Sequence, residues 1–382
     1  MAASSLPDAL RVLPSDLKPL DALGPLHVDA LRLILEGGSV IDWTRLAFTT
    51  REEVDHFLRL CCFDPSSPSD QAWMRGVLRD AASYVTETFH HHVPPAVVDP
   101  VEIHDPFLYA SGAREPLYQK TACMVLKVCD VIHHIEGRDL FHRLPLAEEA
   151  FGEMASVRVM AVFRQMIDAG FPILEATASA KSRSSLISKL LQKTESVAAT
   201  IYDRTRFRVV VAEHTDVLPA LHCLAQRLFP FHVVVPGHTK NSLIDFHEVC
   251  AATPAWRKFL DVLPPKSTLV DTSEIADDAS VDTGRNESSG ASYRVLKFVI
   301  DLPLRIEERL ISPEIAEATR ARTVPCLVEI QILDAATARA NEEGENEHER
   351  YKRRQRARVL RRLSRGLEAP SAGDPRDEDE PR

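Results

Sequence analysis

The sequence predicts an α+β or α/β fold, with a small mixed β-sheet flanked by helices and preceded by a helical N-terminal domain. Three observations predict it. Up to about position 175, apolar residues recur at helical spacing and strand-like runs are scarce. Beyond that point short β-branched runs alternate with helical ones. The last such run, Pro325-Cys326-Leu327-Val328-Glu329-Ile330-Gln331-Ile332, leads without a break into a charged helical stretch.

In order along the chain, helices are expected at 51–62 and 71–89. They are separated by the turn-rich Asp64-Pro65-Ser66-Ser67-Pro68-Ser69. Further helices are expected at 120–135 and 147–168, the latter stopped by Gly170-Phe171-Pro172. Pro106 disfavours helical geometry at Asp105. A helix over 182–200 is then followed by a strand at 206–212, a helix at 217–229 and a strand at 231–235 ended by Pro236-Gly237. A helical piece at 254–262 precedes 264–292, which is rich in Ser, Asp, Thr and Gly and reads as a mobile insertion. Strands at 294–302 and 326–332 and one long helix over 335–367 complete the pattern. The resulting organisation is a helical domain over 1–175, an α+β domain over 176–366, and a disordered acidic tail over 367–382.

Composition narrows the function classes. The chain has 382 residues, 45% hydrophobic and 27% charged, which suits a folded globular protein with an ample core. A net charge of −10 excludes a general nucleic-acid binder, although Lys352–Arg365 is locally basic and could meet phosphates of RNA or the ribosome. A solvated helix face balanced by the acidic tail explains that run equally well. No apolar run approaches a membrane span, and the N-terminus lacks a basic region followed by an apolar core. Seven scattered cysteines without a C-x-x-C pair argue for reduced thiols, hence a cytoplasmic protein, and against a zinc cluster.

Glu329 and Gln331 stand in the middle of an apolar, β-branched run. An acid there is costly to bury unless a cation or hydrogen bonds hold it. The plain alternative is an edge strand with both side chains on its wet face. The continuation of the run adds Glu342, Gly344, His348, Tyr351 and Lys352. The stretch VEIQILDAATARANEEGENEHERYK resembles the closing motif of the RelA/SpoT family of (p)ppGpp synthetases, which reads E-(V/I)-Q-I-R-T and then A-E-x-G-x-A-A-H-W-x-Y-K. Upstream, Lys181, Ser185 and Lys189 in KSRSSLISK match the family's R-x-K-x-x-x-S-x-x-x-K helix, with Ser179 at the leading arginine. Asp203 and Arg208 match its D-I-x-G-x-R strand, with Arg206 in place of the glycine.

The resemblance covers about half the chain and implies a nucleotidyltransferase fold. It also implies a pyrophosphokinase that moves pyrophosphate from ATP to a guanosine or other nucleotide, as in the stringent response, with Mg²⁺ as cofactor. It assigns Asp203 and Glu329 as metal-binding and catalytic carboxylates, Lys181, Ser185, Lys189 and Arg208 as phosphate contacts, and Gln331 and His348 as site-lining groups. Departures lie at the base-recognition loop. FPFHVVVPGHTKNSLIDF keeps Pro236, Ser242 and Leu243 but puts Asn241 nearest the family's stacking tyrosine, with His232, His238 and Lys240 as polar candidates. Leu333-Asp334 replaces the family's Arg-Thr. A relative that binds nucleotide without catalysis, and an RNA- or ribosome-associated module, are the other readings. His90-His91-His92, His104-Asp105 and Asp130 invite comparison with the family's hydrolase domain, but its H-D-x-x-E-D continuation is absent. His133-His134 with Glu136 could form a metal cluster, but consecutive residues of a helix face different ways, and surface histidines are the better reading.

Overall fold

The structure is a computed structural model that describes residues 10–38, 46, 48–181, 183–192, 205–257, 293–342, 357, 359–360 and 363–364. Helices dominate its first part: α1 (Pro25–Glu36), α2 (Arg51–Leu60), α3 (Pro68–Phe89), α4 (Pro95–Val98), α5 (Asp105–Ala110), α6 (Pro116–Arg143) and α7 (Glu148–Asp168). Local sequence sets their limits. Thr50 and Glu53 form a reciprocal capping box at the start of α2. Ser67 caps α3 through its hydroxyl. Gly37, at φ +71°, ends α1 in the left-handed region that glycine adopts without strain.

A five-stranded sheet follows. Its strands are β1 (Ile173–Ala180), β2 (Thr205–Val211), β3 (Lys240–Asn241), β4 (Leu296–Arg305) and β5 (Thr323–Asp334). Their order is β1-β2-β5-β4-β3. β2 and β5 run parallel, and the other neighbours are antiparallel. Helix α8 (Arg183–Gln192) lies between β1 and β2, and α9 (Val217–Arg227) follows β2 before the chain passes through β3 and β4 to reach β5. This mixed sheet with helices around it is the α+β architecture the sequence predicts.

One face of the sheet is apolar. Phe207 and Val209 of β2, Phe298 and Ile300 of β4, and Val328, Ile330 and Ile332 of β5 are fully buried. Helix α7 meets them with Phe151, Ala155, Val159, Val162, Phe163 and Met166, a stripe at helical spacing. The rings of Phe163 and Phe207 lie edge to face, centroids 6.4 Å apart. These residues share one hydrophobic cluster with Leu58, Val77, Val125 and other residues of the N-terminal helices. The helical half is therefore packed on the sheet.

Helix α6 approaches the start of β5 at Gly137, where a Cβ would stand 3.0 Å from Pro325 Cδ and 3.1 Å from the Thr323 carbonyl oxygen. Nearby, His133 Nε2 lies 2.8 Å from Thr323 Oγ1, and burial holds this imidazole neutral by pulling its pKa down to about 4. His134 Nδ1 lies 3.3 Å from Asp301 Oδ2 on β4. Burial pushes the Asp301 carboxyl up to about 6, against the opposing pull of His134 and Arg138. Since that value is raised, native Asp301 keeps its proton after the unfolded group has lost it. Stability therefore falls as pH rises from about 4 to about 6 and stays reduced above that window. Asp301→Asn should remove the decline. Near pH 7.5 it should unfold at higher urea than the parent, by about 1–3 kcal/mol, and near pH 4 at the same concentration.

Some sequence expectations need correction. Residues 231–235 are not a strand: Phe231–Val233 form a 3₁₀ turn, and Val234 alone bridges to Ile300. Pro230 and Pro236 bracket the segment and supply no N–H of their own, so the pairing with β4 stops after this bridge and the Val235 amide's bond to the Val299 carbonyl. Asp105 does enter a helix, because Pro106 stands in the first turn of α5, where its missing N–H costs nothing. β1 was not foreseen, as ILEATASA is an exposed edge strand poor in strand-forming residues. β5 is no edge strand, since it lies between β2 and β4. Asp203, His348, the insertion 264–292, the tail 367–382, the helix beyond position 342 and nearly all of Lys352–Arg365 lie outside the described residues, apart from positions 357, 359–360 and 363–364.

Candidate functional site

The second face of the sheet carries the polar residues. In register, Arg206 of β2 stands opposite Glu329 of β5, and Arg208 opposite Gln331. On the other side Gln331 faces Lys297 of β4, which in turn faces Lys240 of β3. Directly paired residues project to the same side of a sheet. Ser179 and Thr177 of β1 extend the row beyond Arg206 and Arg208. Four cations from three strands are thus brought to the face that carries one carboxylate and one amide.

Glu329 is the buried centre. Its side chain is 4% exposed, whereas those of Arg206 and Lys297 are 36% and 38% exposed, so the cations cover the acid and face solvent. Arg206 Nε lies 3.0 Å from Glu329 Oε1, but its N–H is not directed at that oxygen, which makes the contact an ion pair without a hydrogen bond. Lys297 Nζ lies 3.5 Å from Oε2, and Gln331 Nε2 donates to Oε1 over 2.6 Å. Such pairing is what allows an acid to remain in a central strand. Arg208 reaches Glu342 across the rim at 3.2 Å.

Tyr293 precedes β4 beside this cluster. Burial raises its phenol, and the charges acting on it belong to Arg206, Glu329, Arg208 and Lys297. The Lys240 ammonium stands 5.7 Å from its ring centroid. The ring packs on a small apolar cluster of Val210, Val295, Leu333 and Ala338. Asp334, at the end of β5, serves the next helix. Although burial opposes it, hydrogen bonds from Thr337 and His214 hold its carboxyl below the usual range.

Of the expected site residues, Glu329, Gln331 and Arg208 stand together on this face. Lys181 follows β1 directly, next to the Ser179–Arg206 pair, and Ser185 is exposed on α8. Lys181 precedes the helix, so it does not share a helical face with Ser185 and Lys189. Lys189 belongs to α8, but its side chain lies outside the described residues. Asn241 serves the loop itself, accepting from the Leu243 and Ile244 amides and donating to the Ile244 carbonyl. Of the other loop candidates, His232 turns to Asp130 of α6 at 3.3 Å, away from this face. His104 pairs with Asp55 at 2.7 Å, and His91 with the Thr121 hydroxyl.

Sequence reasoning missed Lys297 and Tyr293, and it read Arg206 only as the loss of a glycine. Lys297 had a signal: a lone cation in the apolar run VLKFVI complements the lone acid of β5.

Among the described residues no group of three or more His, Cys, Asp or Glu side chains is placed to hold an ion. Both oxygens of Glu329 already face cations, so the described residues do not by themselves form a Mg²⁺ site, which needs unengaged oxygen ligands. No helix among the described residues is long and apolar enough to cross a membrane.

No protein-family model matches the chain, and no curated protein matches it. Solved structures do. It is similar to the small alarmone synthetase 2 of Bacillus subtilis, with 16% identity and a TM-score of 0.28 over 57% of this chain and 92% of that one. It is similar to the small alarmone synthetase 1 of the same organism bound to its product pppGpp, with 15% identity and a TM-score of 0.29 over 58% and 91%. A GTP pyrophosphokinase family protein from Streptococcus pneumoniae is similar at 13% identity and a TM-score of 0.28, over 58% and 87%.

Proposed function

We propose that the polar face of the sheet binds the polyphosphate of a nucleotide and that the chain is a divergent pyrophosphokinase. It would transfer pyrophosphate from ATP to a guanosine nucleotide, or to another nucleotide given the altered loop. The observation that carries this reading is the convergence of Arg206, Arg208, Lys240 and Lys297 over the buried Glu329. Phosphoryl chemistry asks the protein mainly for positioning and for stabilisation of developing negative charge. Half-buried cations, two of them held by a buried acid, are suited to both.

In this reading the acceptor hydroxyl oxygen attacks the β-phosphorus of ATP, the bond from that phosphorus to the α,β-bridging oxygen breaks, and AMP leaves. Arrival of the polyphosphate draws Arg206 and Lys297 outward. An oxygen of Glu329 is then released to accept a hydrogen bond, and finally the proton, from the attacking hydroxyl. Lys181, Ser185, Lys189 and Arg208 would hold phosphate oxygens, and Gln331 and His348 would line the site. Asp203 would be the carboxylate to hold Mg²⁺, which would supply neutralisation of phosphate charge.

A second reading is favoured by one specific observation. Glu329 is neutralised by Arg206 where the synthetase motif has a glycine, so the site suits nucleotide binding without transfer. Incubation of the full chain with Mg²⁺, labelled ATP and each of GDP, GTP, AMP and ADP separates the two. A labelled pyrophosphorylated product and AMP are expected. Nucleotide binding with no product for any acceptor, at high protein concentration, would establish the second reading and overturn the first.

A further inference from the structure

Away from the sheet face, a polar cavity of about 180 Å³ opens where α1, α2 and α9 meet. Three histidines on three different helices line it: His27 of α1, His56 of α2 and His222 of α9. The rings of His27 and His222 meet edge on, centroids 4.7 Å apart. His56 Nε2 donates to the Gln226 carbonyl over 2.6 Å, so neutral His56 carries its proton there. The Nδ1 of His27 is buried and has no hydrogen-bond partner among the described residues.

The charge around this cavity is unbalanced. Asp16 is the carboxylate that lines it. Both of its oxygens are engaged by Arg227, at 2.7 and 2.9 Å, and one also accepts from the Leu13 amide. Lys18, exposed at the cavity, has no ion pair among the described residues. Two permanent cations thus face one carboxylate, with three imidazoles between them. A space of this size and polarity holds water or a polar guest, and the surplus charge decides for an anion. We propose that the cavity binds a small oxyanion of the size of phosphate or a short dicarboxylate, with Lys18 as counter-ion and His27, His56 and His222 as hydrogen-bond donors.

Entry of the anion carries a proton with it. Burial is the main reason that each imidazole is neutral when the cavity holds no anion. Lys18 depresses His27 further, while Glu53 of α2 acts weakly in the other direction. His27 and Lys18 together help bring His222 down to about 3. Arg227 and Arg59 lower His56, and Asp16 partly offsets them. A bound anion sets a negative charge against Lys18 and Arg227, so at least one imidazole protonates and its second nitrogen becomes a donor. This site rests on residues apart from the sheet face and does not depend on the pyrophosphokinase reading.

Calorimetric titration of the full chain with inorganic phosphate, and separately with succinate, tests it. Runs at about pH 6 and pH 8, in two buffers of different ionisation heat, read the proton uptake. One saturable site with net proton uptake is expected, at least about tenfold tighter at the lower pH. Lys18→Glu, at an exposed position that folding does not need, should weaken binding at least about tenfold. His222→Gln should do the same, and Arg208→Ala on the sheet face should leave this binding unchanged. Phosphate bound more tightly than succinate would assign the guest as phosphoryl, and the reverse order as carboxylate. Absence of saturable heat with either anion up to about 10 mM would overturn the proposal. So would binding that is lost in Arg208→Ala but retained in Lys18→Glu.

Discussion

Glu329→Gln is expected to lower the rate of pyrophosphate transfer at least about 100-fold, the usual effect of removing a positioned proton acceptor. Nucleotide binding should survive. The substitution deletes the negative charge beneath Arg206 and Lys297, at 3.0 and 3.5 Å, and so leaves the face more cationic than before. Glutamine keeps the shape of glutamate in a crowded central strand, so the fold should hold. The discriminating result is the split between kcat and KM. A proton acceptor loses kcat with KM unchanged or lower, whereas a strut that only positions cations raises KM. Arg208→Ala should show the second pattern, a nucleotide affinity reduced about tenfold with a smaller change in kcat. An unaffected rate in Glu329→Gln would remove this residue from the mechanism.

Much of this face could be read before the fold was known, and the reason is local. Glu329 and Gln331 interrupt an apolar run, and the cost of burying an acid signals a partner whatever the topology. The identity of that partner was not legible. Arg206 lies 123 positions earlier in the chain and meets Glu329 only through the parallel register of β2 and β5. Lys240 and Lys297 arrive through two further antiparallel pairings, and no spacing within the sequence encodes those. Strands with strong β-branched character, β2, β4 and β5, were foreseen within a few residues. β1 was not, because an exposed edge strand of alanine and serine carries no burial signal. The reverse error at 231–235 has the same root: Phe231, Val233 and Val234 satisfy the apolar pattern, yet the segment turns as a 3₁₀ helix between two prolines and pairs with β4 at a single bridge. The separation into a helical and an α+β half was drawn from pattern alone. Pattern gave no view of the shared cluster that packs α7 on the sheet.

That joint between helices and sheet has a deeply buried ion pair, Asp70 with Arg305, and Asp70→Ala should be the most destabilising exchange of a charged residue outside the site. Asp70 of α3 is 2% exposed. Its two oxygens receive Arg305 of β4 at 2.8 and 2.9 Å, and one of them also accepts the Asp64 amide at 2.8 Å. Truncation leaves the Asp64 N–H and two guanidinium donors without their acceptor in a nearly dry setting. Arg305, about one-third exposed, recovers part of its hydration, which places the cost near the lower end for a broken buried pair, about 3 kcal/mol. Asp80→Ala is the matched control. It also removes a carboxylate of α3 paired with an arginine, Arg320, but Asp80 is 56% exposed and the loss should stay below about 1 kcal/mol. Urea unfolding of both variants, read at constant slope, measures the difference. Equal midpoints would mean that apolar packing alone holds α3 to the sheet. A large gap would place the anchor at the far end of the strand that carries Lys297, so that β4 is fixed by an ion pair at one end and presents a phosphate contact at the other.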